Sequence, residues 1–210
     1  MEAAHGPDAV HAQYADTPDL LSQTTGPYLV IKSHHGSDAM DDFLKTRRAP
    51  LFLSIRDPRD AALSMARRFN VPLQRTAGWL LNDCARLAKQ AMSCTALLRY
   101  ETRFFDDAGT IPALAEQLGL ALPRETLNAI FARYRTEAVR QFAQSLSQLP
   151  TERLTTVGAF QMDQVTQILS SHIGDSRSGK WRELPAPAPE RLTALYASFL
   201  RQFEYPMEME

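Results

Sequence analysis

The sequence predicts an α/β fold in which a parallel sheet is flanked by helices, and three observations predict it. Short runs rich in β-branched, aromatic and other apolar residues occur at 28–33 (YLVIKS), 51–55 (LFLSI) and 96–100 (ALLRY). Helical patterns fill the intervals between them, and beyond the third run the chain reads as mostly helical. Such alternation sets parallel strands side by side with helical crossovers on their faces.

The elements follow in order. Residues 1–26 mix small and polar side chains with Pro7, Pro18 and Gly26, which interrupt any period, so they read as a flexible arm with one short helix and no strand. LFLSI is continuously apolar, as strands covered on both faces are. Asp57 before Pro58 matches an N-cap followed by proline in the first turn, and Asp60 complements the helix dipole. Helices are therefore expected over 58–69, and by apolar pattern over 38–47 and 72–93. Thr110 or Ile111, just before Pro112, starts a helix that Gly119 ends. From Pro123 the apolar positions Leu127, Ile130, Phe131, Tyr134, Ala138 and Phe142 keep one helical rhythm, and Leu192, Leu195, Tyr196 and Phe199 do the same over 189–203. Between them lies SSHIGDSRSGKWRELPAPAP, a polar loop that ends in a stiff Pro-Ala connector. Residues 27–210 are expected to make one α/β domain.

Composition narrows the classes of function. The 210 residues are 44% hydrophobic and 22% charged with a net charge of −1, which gives no global bias toward nucleic acid or membrane. Any anion site must then be local. The first residues lack the apolar stretch of a signal peptide and no uncharged run is long enough to span a bilayer, so the expected location is cytoplasmic. Cys84 and Cys94 are too far apart for a Cys-x-x-Cys motif and read as small buried thiols. The five histidines form no HExxH pattern, so no metal is expected.

Three constellations could carry chemistry. Arg56 ends the LFLSI strand beside a helix start: either it pairs with Asp57 or Asp60, or it waits for an anion where open α/β sheets place their ligands. Ser64, eight residues on, could add a hydroxyl to the same phosphate. In IKSHHG, an extended strand puts Lys32 and His34 on one face. That pair is either a solvated strand end or a cation beside a general base; His35 reads as structural or exposed. The loop of Arg177, Ser178, Gly179 and Lys180 is either solvated and pinned by Trp181, or able to close over a polyanion.

Taken together these pieces resemble the sulfotransferases that use 3'-phosphoadenosine 5'-phosphosulfate (PAPS), most closely the bacterial branch. Lys32-Ser33-His34 matches a strand ending Lys-Thr/Ser-His. Arg56 and Ser64 match a strand-final Arg and a helix serine eight residues later, with twenty-two residues from His34 to Arg56. Tyr100-Glu101 matches a Tyr-Glu pair after a later strand, and Gly179-Lys180-Trp181-Arg182 a late Gly-x-Trp-basic loop. The resemblance implies a sulfotransferase-like (P-loop NTPase-like) sheet and a transferase that moves a sulfuryl group from PAPS to a hydroxyl or amine of a small-molecule or glycan acceptor. It implies His34 as general base and Lys32 on the sulfuryl oxygens. It also implies Arg56 and Ser64 on the 3'-phosphate, Tyr100 near the adenine, and Arg177, Ser178, Gly179 and Lys180 closing over the nucleotide. No metal is needed in such a site.

Two departures stand out. Gly174-Asp175-Ser176 replaces the Arg-Lys-Gly that often precedes Gly-x-Trp, which leaves Arg177 to supply the cation. Upstream of Tyr28 the Pro-Lys/Arg-Ser-Gly-Thr-Thr-Trp-like loop that cradles the 5'-phosphosulfate has no counterpart, nor has the strand before it, so the sheet is expected to be incomplete at its N-terminal end. That departure motivates an alternative, a catalytically degenerate relative that binds a nucleotide or a partner. A P-loop kinase would need Gly-x-x-x-x-Gly-Lys-Ser/Thr, which is absent.

Overall fold

Strands pair two by two in this protein. The structure, a computed structural model, describes residues 1–21, 27–157, 159–171 and 173–208; Gly26 and His172 lie outside them. A short helix α1 (Glu2–His5) leads into β1 (Val10–Tyr14), which pairs in parallel with β2 (Tyr28–Lys32). Helix α2 (Asp38–Thr46) follows, and then β3 (Phe52–Ile55), α3 (Pro58–Phe69), α4 (Leu73–Gln90) and β4 (Ala96–Arg99), with β3 and β4 again parallel. The remainder holds α5 (Thr110–Gln117), α6 (Arg124–Tyr134), α7 (Thr136–Gln144), an antiparallel hairpin of β5 (Leu154–Val157) and β6 (Phe160–Asp163), and the closing helices α8 (Ala188–Leu195) and α9 (Ala197–Gln202).

The class is α/β, as expected, but the single parallel sheet is not formed. Among the described residues β2 and β3 share no ladder, so the expected sheet is two parallel pairs. Each pair has its own apolar cluster. Ala15, Leu21 and Met40 sit under β1–β2, with Leu29, Ile31 and Phe43 packed against them. Ile55 joins Ala62, Ala77 and Cys84 from α3 and α4 and Leu192, Tyr196, Phe199 and Leu200 from α8 and α9. Removing these side chains from water is the main force holding the second unit together.

Three local expectations are corrected. The arm does contain a strand: VHAQY, short and interrupted by polar residues, is held by its pairing with β2 rather than by strong propensity. The rhythm from Pro123 to Phe142 breaks at Arg135, whose backbone is extended, because Asp106 accepts both the Thr136 N–H (2.8 Å) and hydroxyl (2.9 Å) and starts a new helix there. The last helix likewise breaks at Tyr196, whose hydroxyl donates to the Ala77 carbonyl at 2.8 Å. The second half also contains the β5–β6 hairpin, tied by Arg153 gripping the fully buried Asp163 at 3.1 and 2.8 Å. By contrast, the Asp57–Pro58 start of α3 is as read, with Asp57 accepting the Arg59 N–H at 3.0 Å. Cys84 is a buried thiol whose pKa burial pushes up to about 12.

Candidate functional site

Parallel register explains why Arg56 and Tyr100 meet. Ile55 pairs with Arg99, so the next residue of each strand emerges at the same carboxyl edge. There the Arg56 guanidinium carbon lies 4.2 Å from the Tyr100 ring centroid. Glu101 ties the two turns together by accepting the Asp57 N–H at 2.9 Å and the Tyr205 hydroxyl at 3.0 Å. Arg56 does not pair with Asp57 or Asp60. Asp57 is taken by Arg59 (Nε to Oδ1 2.9 Å, Nη2 to Oδ2 2.7 Å), and Asp60 accepts the N–H groups of Gly179 (2.5 Å) and Trp181 (3.0 Å). Arg56 instead donates from Nη2 to the Arg177 carbonyl at 3.0 Å. Its Nε is buried with no hydrogen-bond partner among the described residues.

These contacts bring the late loop onto α3. Asp60 holds its backbone, Trp181 is fully buried, and the Arg59 guanidinium stacks 3.6 Å from the Trp181 ring. Gly179 has φ +81, in the left-handed region, and a β-carbon there would sit 3.1 Å from Arg182 Nη1. Ser64 lies one helical turn beyond Asp60 in α3 and is half-buried. The loop's cations already have partners. Lys180 is buried with its ammonium 2.8 Å from Asp175, and Arg177 donates to Glu183 at 2.7 Å and lies 3.6 Å from Asp175. Lys180 accordingly lowers the Asp175 carboxyl to about 2. Ser178 is exposed.

Lys32 and His34 form a second group, at the carboxyl end of β2. The strand stops at Lys32, and residues 33–36 turn sharply with Gly36 at φ +48. The His34 ring lies 5.6 Å from that of Tyr14. Although its side chain reaches solvent, the protein packed around it, with Lys32 and His35 adding like charge, pulls the imidazole below its ordinary pKa. Desolvation lowers Lys32 as well. His35 pairs with Asp83 of α4 at 3.2 Å. Asp16, which sequence reasoning passed over, organises this turn: its carboxylate accepts from the Ser33 and Tyr14 hydroxyls and from three backbone N–H groups. Burial opposes its charge, but the hydrogen bonds prevail and hold its pKa far below the usual carboxylate range.

The expected site residues thus gather in two groups. Arg56, Tyr100 and the 177–180 loop touch and Ser64 lies in the adjoining α3, whereas Lys32 and His34 sit on the other strand pair. Among the described residues no hydrogen bond, ion pair or ring contact joins the groups, and α4 stands between, with Asp83 facing His35 and Cys84 packed beside Ile55. The residues missed by sequence reading are Asp16, Arg59 and Asp83; the five-residue VHAQY run was the one available signal for the first of these. No group of three or more His, Cys, Asp or Glu side chains is placed to hold a metal ion, and no helix is long and apolar enough to cross a membrane, among the described residues. Comparison of the chain with protein-family models and with curated proteins finds no match.

Proposed function

We propose that this chain binds PAPS and transfers its sulfuryl group to a hydroxyl or amine of a small-molecule or glycan acceptor. The observation that carries the reading is Arg56: a guanidinium at the carboxyl end of a parallel strand, stacked on Tyr100, with a buried N–H still lacking an acceptor. A phosphate oxygen would meet that donor, and the Ser64 hydroxyl of α3 would add a second one. Such a fit suits the 3'-phosphate of the nucleotide, with Tyr100 offering its ring to the base. Arg177 and Lys180 would reach the nucleotide by exchanging Glu183 or Asp175 for phosphate oxygens.

When bound, PAPS supplies an activated sulfuryl group and a stable leaving phosphate. His34 is the base: its lowered pKa leaves it neutral, able to take the acceptor's proton as the acceptor oxygen or nitrogen bonds to sulfur and the bond from sulfur to the leaving phosphate breaks. Lys32 stabilises the charge that develops on the sulfuryl oxygens. For this the two strand pairs must bring His34 within reach of the nucleotide held at Arg56.

The test is release of 3',5'-ADP from PAPS across an acceptor panel. His34→Gln should lower the rate by about 100- to 10,000-fold, and the rate of the unaltered protein should fall only below the ordinary histidine pKa of about 6.5. Turnover no higher than in His34→Gln sinks the catalytic reading. The separation of the two groups favours a second reading, a nucleotide-binding module without turnover. It is distinguished by calorimetry in which 3',5'-ADP binds, Arg56→Ala abolishes binding, and no turnover accompanies it.

A further inference from the structure

We propose that the turn after β2 is a binding site for a tetrahedral oxyanion, phosphate or sulfate, and that Asp16 occupies it as an internal, displaceable anion. The site follows from the parallel register. Tyr14 pairs with Lys32 and the Ala15 N–H donates to the Lys32 carbonyl at 3.0 Å, so Asp16 emerges directly beside residues 33–36. There the backbone N–H groups of His34, His35 and Gly36 converge on a single oxygen, Asp16 Oδ1, at 3.2, 3.1 and 3.2 Å, the Gly36 N–H being shared with Ser33 Oγ at 2.9 Å. The Ser33 hydroxyl donates to the same oxygen. Successive backbone N–H groups pointing inward form a concavity that selects anions whatever their source.

The four donors of this turn all serve one carboxylate oxygen. Oδ1 receives four donors, while Oδ2 turns away to the Tyr14 hydroxyl at 2.6 Å. Lys32, beside the turn, has no acidic partner among the described residues, and His34 stands next to it. An anion with three or four oxygens could place one where Oδ1 now lies and offer the others to Lys32 and His34. Asp16 is half-buried, so solvent anions can reach it. Gly36 fits the turn because its φ of +48 is left-handed and a β-carbon there would sit 3.3 Å from Arg86 Cδ. This inference does not rest on sulfuryl transfer, because its readout is binding of inorganic anions.

Titrating sodium phosphate, and separately sodium sulfate, into Asp16→Ala while following amide ¹H–¹⁵N signals tests it, with sodium chloride at matched ionic strength as control. Both oxyanions should shift the His34, His35 and Gly36 amides, with affinity about tenfold or more above the unaltered protein, whose tethered carboxylate competes at high effective concentration. Adding Ser33→Ala should weaken that binding. Unmoved amides in folded Asp16→Ala, or equal affinities in the two proteins, overturn the proposal. Should Asp16→Ala fail to fold in chloride, phosphate must restore its circular dichroism spectrum; failure to do so overturns the proposal equally.

Discussion

The carboxylate of Asp60, in the first turn of α3, accepts the backbone N–H of Trp181 at 3.0 Å across 121 residues of sequence. Its other oxygen takes the Gly179 N–H at 2.5 Å, and both Asp60 and Trp181 are fully buried. One acid therefore clamps the late loop against the strand end that carries Arg56.

Replacing Asp60 with Ala leaves the buried Trp181 N–H and the half-buried Gly179 N–H without their acceptor. Each such loss costs about 1–3 kcal/mol, so Asp60→Ala should be destabilised by at least that amount in urea denaturation. The amides of Gly179 and Trp181 should exchange hydrogen much faster. Unchanged exchange at both would contradict the clamp.

Arg59 is fully buried between Asp57, Thr193, the Pro206 carbonyl and the Trp181 ring. Removing one member of a buried pair strands the other, at about 3–5 kcal/mol. Arg59→Ala should fall in that range by chemical denaturation. Arg59→Lys should recover little, because an ammonium cannot grip Asp57 with two parallel hydrogen bonds while stacking on the indole.

Asp175 is held down to about 2 by Lys180. A depressed carboxyl adds stability above its unfolded pKa of about 4 and loses it as pH falls through the folded value. The contact should thus weaken between about pH 4 and about pH 2. Its side chain is 43% exposed, so solvent screening keeps the effect below about 1 kcal/mol. Trp181 fluorescence should show this acid transition in the unaltered protein and lose it in Asp175→Asn.

Lys32 adds positive charge beside His34, whose imidazole is lowered first by desolvation and then by that charge. Taking the charge away favours the imidazolium. Lys32→Met should therefore raise the His34 pKa, measured from the ring proton shifts against pH. A pKa that stays put or falls would show that the two groups are not coupled.

Local chemistry made much of this protein legible from its residues. Asp57–Pro58 starts a helix because a carboxylate can cap the next N–H groups and proline loses nothing at that position, and such effects act within a few residues. The Lys32–His34 and Arg56–Ser64 spacings were visible for the same reason. What could not be read locally were contacts made between distant stretches. VHAQY becomes a strand because β2 supplies its hydrogen bonds, and the helical rhythm breaks at Arg135 because Asp106 caps Thr136 from 30 residues away. Asp57 and Asp60 looked like partners for Arg56, yet packing gave them to Arg59 and to the loop at Gly179 and Trp181, leaving Arg56 with a spare donor. Pairing between strands and the capture of buried donors are settled by which surfaces fold together, and adjacency along the chain carries no record of that.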